Sequence, residues 1–213
     1  MTDSPRVVVR GEAVVEVAPD TADLVVTVQV RDPRRERAVA LLAERQQAVL
    51  RLLEEHRGVI GSVSTDAVAV FPEPGDGGRI SRSIATTTTR VRVDEAPAAA
   101  ELVVAVAALP DTAVHGPHWR LSRTHPAHGQ VRTAAVTDTI SRARAYAEAL
   151  GCRLTGLVEV RDVGTDGGGF RAAAFSSTGA APQLELQPAP QEVRGQIEVT
   201  VIMSEPDEEV FQR

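Results

Sequence analysis

No lysine occurs in this 213-residue sequence, which excludes Schiff-base and amine-base chemistry by a side chain. Its 23 basic residues are therefore all arginine; they face 29 acidic residues and leave a formal net charge of -6. That balance argues against non-specific binding to nucleic acid or to an anionic membrane, since both need a basic patch. The preference for arginine accompanies abundant Ala, Val, Gly and Pro; it reads as genomic composition and carries no function. Cysteine occurs once, as Cys152, so no intramolecular disulfide forms and a reducing compartment is expected. Aromatic residues are 3% of the chain, so the core has to be built from Val, Leu, Ile and Ala. No apolar run approaches the ~18 residues of a membrane span. The opening "MTDSPRVVVRGE" shows no apolar segment behind a basic one. Cytoplasm is the expected location, although a chain trimmed of a leader would read the same.

What is present is a series of alternating strands and amphipathic helices. "VVVRGEAVVEV" and the stretch with Leu24, Val26, Val28 and Val30 on one face read as two strands of a hairpin, with Pro19 and Asp20 at the turn. From Asp32 to Arg57 the period becomes helical, with Asp32 as cap, Pro33 in the first position and Ala38, Leu42, Val49, Leu52 and Leu53 on one stripe. Gly58 and Gly61 are read as its end, and His56 as a cation suited to the last turn. Strands are expected over 63–71 and 79–93, joined by the loop "PEPGDGG", and the threonine run 86–89 reads as β-propensity on a half-exposed strand. A short helix from about Glu95 to Leu109 and a strand "TAVHGPHWRLS" follow. The longest helix sets Val136, Ile140, Ala143, Ala147 and Leu150 on one face and ends at Gly151. After a further strand, residues 164–190 are a Gly-, Ala-, Ser- and Pro-rich loop, and Val193–Met203 alternates cleanly. No tandem repeat is evident.

Four of the five histidines lie in "HGPHWRLSRTHPAHG": His115, His118, His125 and His128. Paired H-x-x-H spacing is superficially that of a zinc site. However, no carboxylate lies between 112 and 137, and His118 and Trp119 are neighbours on a strand and so face opposite ways. His125 precedes Pro126 at the start of the long helix, where it reads as a cap. Metal binding by these four is the minor alternative. No G-x-S-x-G elbow and no phosphate loop occur. Cys152, just past a helix C-terminus, reads as a small buried hydrophobe rather than an activated thiol, and Trp119 as a core anchor. No catalytic and no cofactor-binding residues are assigned.

Four stretches in this order resemble the SIMPL domain family, also called the domain of unknown function 541. They are "VVVRGEAVVEVAPDTADLVVTVQV", "GVIGSVSTDAVAVFPE", "SRSIATTTTRVRVDEAPAAAELVVAVAAL" and "RTAAVTDTISRARAYAEALGCRLTGLVEV". The resemblance spans about Val7 to Ser204. Where the family's long helix commonly opens Ser-Asp-Pro, this chain has "RTHPAH". It implies a bacterial protein connected with signalling interactions, stress tolerance or the envelope, and offers no catalytic set to transfer.

The expected fold is α+β, a mainly antiparallel sheet of about seven or eight strands with three packed helices. It forms one domain over 7–204, with a flexible start at 1–6 and an acidic tail at 205–213. The expected function is non-catalytic and self-associating, a homo-oligomer with a possible protein partner and neither nucleic acid nor a membrane span. The alternatives are the histidine metal site and a small-ligand site beneath loop 164–190.

Overall fold

The computed structural model describes residues 4–74, 80–167 and 186–206. In chain order its elements are β1 (Arg6–Val17), β2 (Thr21–Asp32), α1 (Arg35–Glu55), β3 (Ile60–Pro74), β4 (Ile80–Val93), α2 (Ala98–Ala107), β5 (Thr112–Arg120), α3 (Ala127–Ala149), β6 (Leu154–Gly167) and β7 (Gln191–Met203). The α+β class, the antiparallel pairing and the three helices are as expected. The seven strands among the described residues are divided between two sheets, ordered β1-β7-β6 and β3-β4-β2-β5. Contacts divide the chain into two units. One holds β1, α3, β6 and β7; the other, holding β2, α1, β3, β4, α2 and β5, is inserted between β1 and α3.

The expected β1–β2 hairpin does not form. β1 pairs with β7 from Arg6↔Ile202 to Val17↔Gln191, while β2 lies between β4 and β5. The turn residues Pro19 and Asp20 specify where the chain bends, not which strand lies alongside. The long strands β4 and β7 are interior; the edges are β3 and β5 in one sheet, β1 and β6 in the other.

In the inserted unit, Ala22, Leu24, Val26, Val28 and Val30 of β2 and Ala85, Val91 and Val93 of β4 point into the core. Helices α1 and α2 cover them with Ala38, Leu42, Val49 and Leu53, and with Ala99, Leu102 and Val106. Burying each Leu or Val contributes roughly 1.5–3 kcal/mol. Trp119 is half-buried at the margin of this core, not inside it. Thr87 and Thr89 are buried and Thr86 and Thr88 half-buried, so the threonine run alternates as a strand should. Helix α1 starts at Arg35, later than expected, because Asp32 remains in β2 and its Oδ1 accepts from the Arg34 N–H at 2.8 Å. At the other end the His56 Nδ1 donates to the Leu52 carbonyl at 2.9 Å. Gly58 lies in the 3-10 turn Arg57–Val59, but Gly61 belongs to β3, not to the helix end.

In the first unit, α3 lies against β1 and β7. Its buried residues are Ala127, Val131, Ala135, Thr139, Ala143 and Ala147, a strict i, i+4 row. Of the expected stripe, Ala143 and Ala147 belong to this row, whereas Val136 is exposed and Ile140 and Leu150 are half-buried. Small side chains let the helix approach the sheet, and the sheet answers with glycine. A Cβ built on Gly11 would lie 2.6 Å from Thr139 N and 2.7 Å from Ala135 O; one on Gly195 would lie 3.2 Å from Val131 O. Cys152 is buried beside Ala147 and Met203, as a small hydrophobe would be.

Both units contain the same βαββ arrangement. The elements β2-α1-β3-β4 form strands ordered β3-β4-β2, and β1-α3-β6-β7 form strands ordered β6-β7-β1. In each, the edge strand carries a bulge at its second residue, Gly61 in β3 and Thr155 in β6. The repeat is one of topology, and the insertion hides it from a search for sequence period.

Candidate functional site

The face of the four-stranded sheet opposite the helices is polar, because the residues alternating with the core positions point there. One row across it reads Ser62 on β3, Arg92 on β4, Asp23 on β2 and His118 on β5, each in register with the next. The next row contains Ser64, Arg90, Val25 and His115. A cavity of about 220 Å³ opens on this face, and its lining includes Asp23, Ser62, Arg90, Arg92, His118 and Arg120.

Charge on this face is organised by two carboxylates, of which Asp23 lines the cavity. Asp23 accepts from the Arg92 Nε through Oδ1 at 3.4 Å and faces the Arg120 Nε through Oδ2 at 2.5 Å. Asp66 takes Arg90 in a fork, from Nε at 2.9 Å and from Nη2 at 2.8 Å. The hydrogen bond from Arg90 holds the Asp66 carboxyl below its ordinary value, and the same bond raises Arg90. Three guanidinium groups thus meet two carboxylates, so the face is locally positive in an acidic chain. Asp23 is occupied by arginine, which leaves it no role as an orienting carboxylate for His118.

The strand β5 places two of the singled-out histidines here. His115 and His118 are three apart and would face opposite ways on a regular strand. Instead Asp23 pairs with His118 and Val25 with His115, so Gly116 and Pro117 oppose Leu24 alone and form a bulge. Gly116 has φ +119°, and a Cβ there would come 2.9 Å from the Asp23 carbonyl oxygen, so the bulge needs glycine. Both imidazoles therefore stand exposed on the same face, while Val114 and Trp119 pack on the core. The bulge was not readable from spacing; the Gly-Pro pair was its only sign.

His125 and His128 belong to the first unit, at the start of α3. The His125 Nδ1 accepts from the Ala127 N–H at 3.1 Å, and the His128 N–H donates to the His125 carbonyl at 3.1 Å. His125 thus performs the work of a cap, satisfying an N–H that the helix cannot. Among the described residues, no three His, Cys, Asp or Glu side chains are grouped so as to hold a metal ion. The acidic tail from 207 and most of loop 164–190, residues 168–185, lie outside the described residues, as does the small-ligand site expected beneath that loop.

Fold and face together define an α+β protein of two βαββ units, one bearing a polar, arginine-lined sheet surface. The chain belongs to the SIMPL family, described as a protein of unknown function (DUF541), which it matches over residues 7–201. No curated protein matches it. Among the described residues, no helix is long and apolar enough to cross a membrane.

Proposed function

We infer that this SIMPL protein is a non-catalytic interaction protein that self-associates through the outer edge of β6. The observation carrying this reading is the composition of that edge. Leu157, Val158, Val160 and Val163 are 61%, 46%, 53% and 45% exposed, on a strand bonded on one side only among the described residues. Such an edge offers unpaired backbone groups to another strand. Antiparallel pairing about a two-fold at Val160 sets Glu159 of one copy opposite Arg161 of the other, twice. Bulges at Thr155, Val158 and Val163 shorten the regular segment, which favours a specific short contact over open-ended stacking. The non-catalytic part rests on the absence of lysine, the buried thiol of Cys152 and the arginine-bound state of Asp23. The reading includes a reducing bacterial cytoplasm, in keeping with a single unpaired thiol.

Sedimentation velocity at micromolar concentration tests the association. A dimer or higher species is expected, and a mass near the 22.6 kDa monomer at every concentration and salt level ends the idea. A turnover screen across hydrolase and oxidoreductase substrates tests the rest; an activity abolished by one point substitution would overturn it.

A further inference from the structure

We propose that the arginine-lined cavity on the four-stranded sheet binds a small tetrahedral oxyanion, inorganic phosphate or the phosphate of a small monoester. Arg92 and Arg120 each engage Asp23 through Nε, and no hydrogen bond to a described residue uses their Nη donors. Two outward-facing guanidinium forks therefore share a single carboxylate, which leaves one positive charge over the cavity. The Arg90–Asp66 fork beside them is internally neutral. Beside Arg92 and Arg90, β3 contributes Ser62 and Ser64 to the lining, and β5 contributes His118. Each can supply a hydrogen-bond donor.

Geometry selects the ligand class. Donors converge from β3, from β4 and from β5, so the acceptor needs oxygens pointing in several directions, as phosphate has and a planar carboxylate lacks. A volume of about 220 Å³ holds a phosphate and a few further atoms, below the roughly 300–1,000 Å³ of pockets for larger ligands. Val25 in the lining provides an apolar floor for those atoms. The Gly116 bulge belongs to the same device, since it aligns His118 with the Asp23 row.

Amide chemical shifts of the full chain, titrated with inorganic phosphate, glycerol 3-phosphate and succinate at low salt, test the site. Saturable shifts are expected near 23–25, 62–64, 90–92 and 118–120, with both phosphates ahead of succinate. Tighter binding of glycerol 3-phosphate assigns the monoester, and tighter binding of inorganic phosphate the free ion. Arg92→Gln with Arg120→Gln should weaken phosphate at least about tenfold. Asp23→Asn should strengthen it, because it removes the internal competitor for both guanidinium groups. Shifts mapping elsewhere, succinate equal to phosphate, an unaffected double variant, or weaker binding by Asp23→Asn would each overturn the assignment. None of these depends on the oligomeric state.

Discussion

Gly11 of β1 lies directly under Thr139 of α3, with no room between them for a methyl group. The buried Thr139 hydroxyl donates to the Ala135 carbonyl at 2.7 Å, so its one polar atom is satisfied within the helix. This contact sets the distance between helix and sheet in the first unit.

Gly11→Ala should therefore destabilise the protein by roughly 1–3 kcal/mol, because its Cβ meets backbone atoms that cannot swing aside. Gly195→Ala should cost less, its nearest contacts being 3.2 Å away. Gly129→Ala, in α3 with nothing within 4 Å of the added carbon, should stabilise by about 0.5 kcal/mol. Urea unfolding midpoints should rank them in that order; a neutral Gly11→Ala would show the packing to be looser than described.

Asp66 gives a pH prediction. Its carboxyl is held below the ordinary 3.8 by the hydrogen bond from Arg90. A lowered folded value means the bridge's contribution is fully present above the unfolded value and lost as pH falls through the folded one. Carbon-detected titration should place the Asp66 midpoint below 3.8 in the native chain and return it toward that value in Arg90→Gln. Both groups are exposed, so only a slight change in the melting temperature should accompany it.

His125→Ala removes the acceptor for the Ala127 N–H and should cost about 1 kcal/mol, with Ser at the same position restoring most of the loss. Thermal melts decide this. A melting temperature that instead depends on added zinc in the native chain, and not in His125→Ala, would revive the metal alternative.

Val160→Lys on the outer edge should reduce self-association without altering the circular dichroism spectrum, since Val160 is already half in solvent. Repulsion between two lysines placed opposite each other adds to the lost apolar contact. The sedimentation coefficient should fall toward that of the monomer; no change would remove β6 from the interface.

Much of the local structure was legible in period alone. The buried row of β2 and that of β7 were readable because each strand has one covered face. The long helix was legible, and so was the C-terminal part of its buried face, Ala143 and Ala147, but not the part before it. Its inward row is mostly alanine with one threonine, and larger Val136 and Ile140 drew the reading to the wrong side. The hairpin misreading has a different cause: sheet pairing is a long-range choice that turn residues do not encode. At the candidate site, the cap role of His125 followed from its position before Pro126. The common orientation of His115 and His118 did not, because one bulge reverses the parity that spacing predicts. Nor did the arginine cluster, whose members come from β4 and β5 and meet only because β2 pairs with both strands.

Arg10 and Glu198, ion-paired at 3.0 Å on adjacent strands, are 188 positions apart. Bringing the two ends of so long a flexible loop together costs about 5 kcal/mol in chain entropy. The order of synthesis makes the matter sharper. Everything β2 pairs with has been made by Arg120, so the inserted unit can condense on an emerging chain. β1, made before all of these, has no strand partner until β7 leaves the ribosome. Until then only α3 can cover its apolar side, and it joins its sheet last. A folded inserted unit shortens the effective loop that β1 and β7 must close. The pairing of β1 with β7 is then the step expected to come last, and a chain stopping before β7 should yield a protease-resistant core lacking β1.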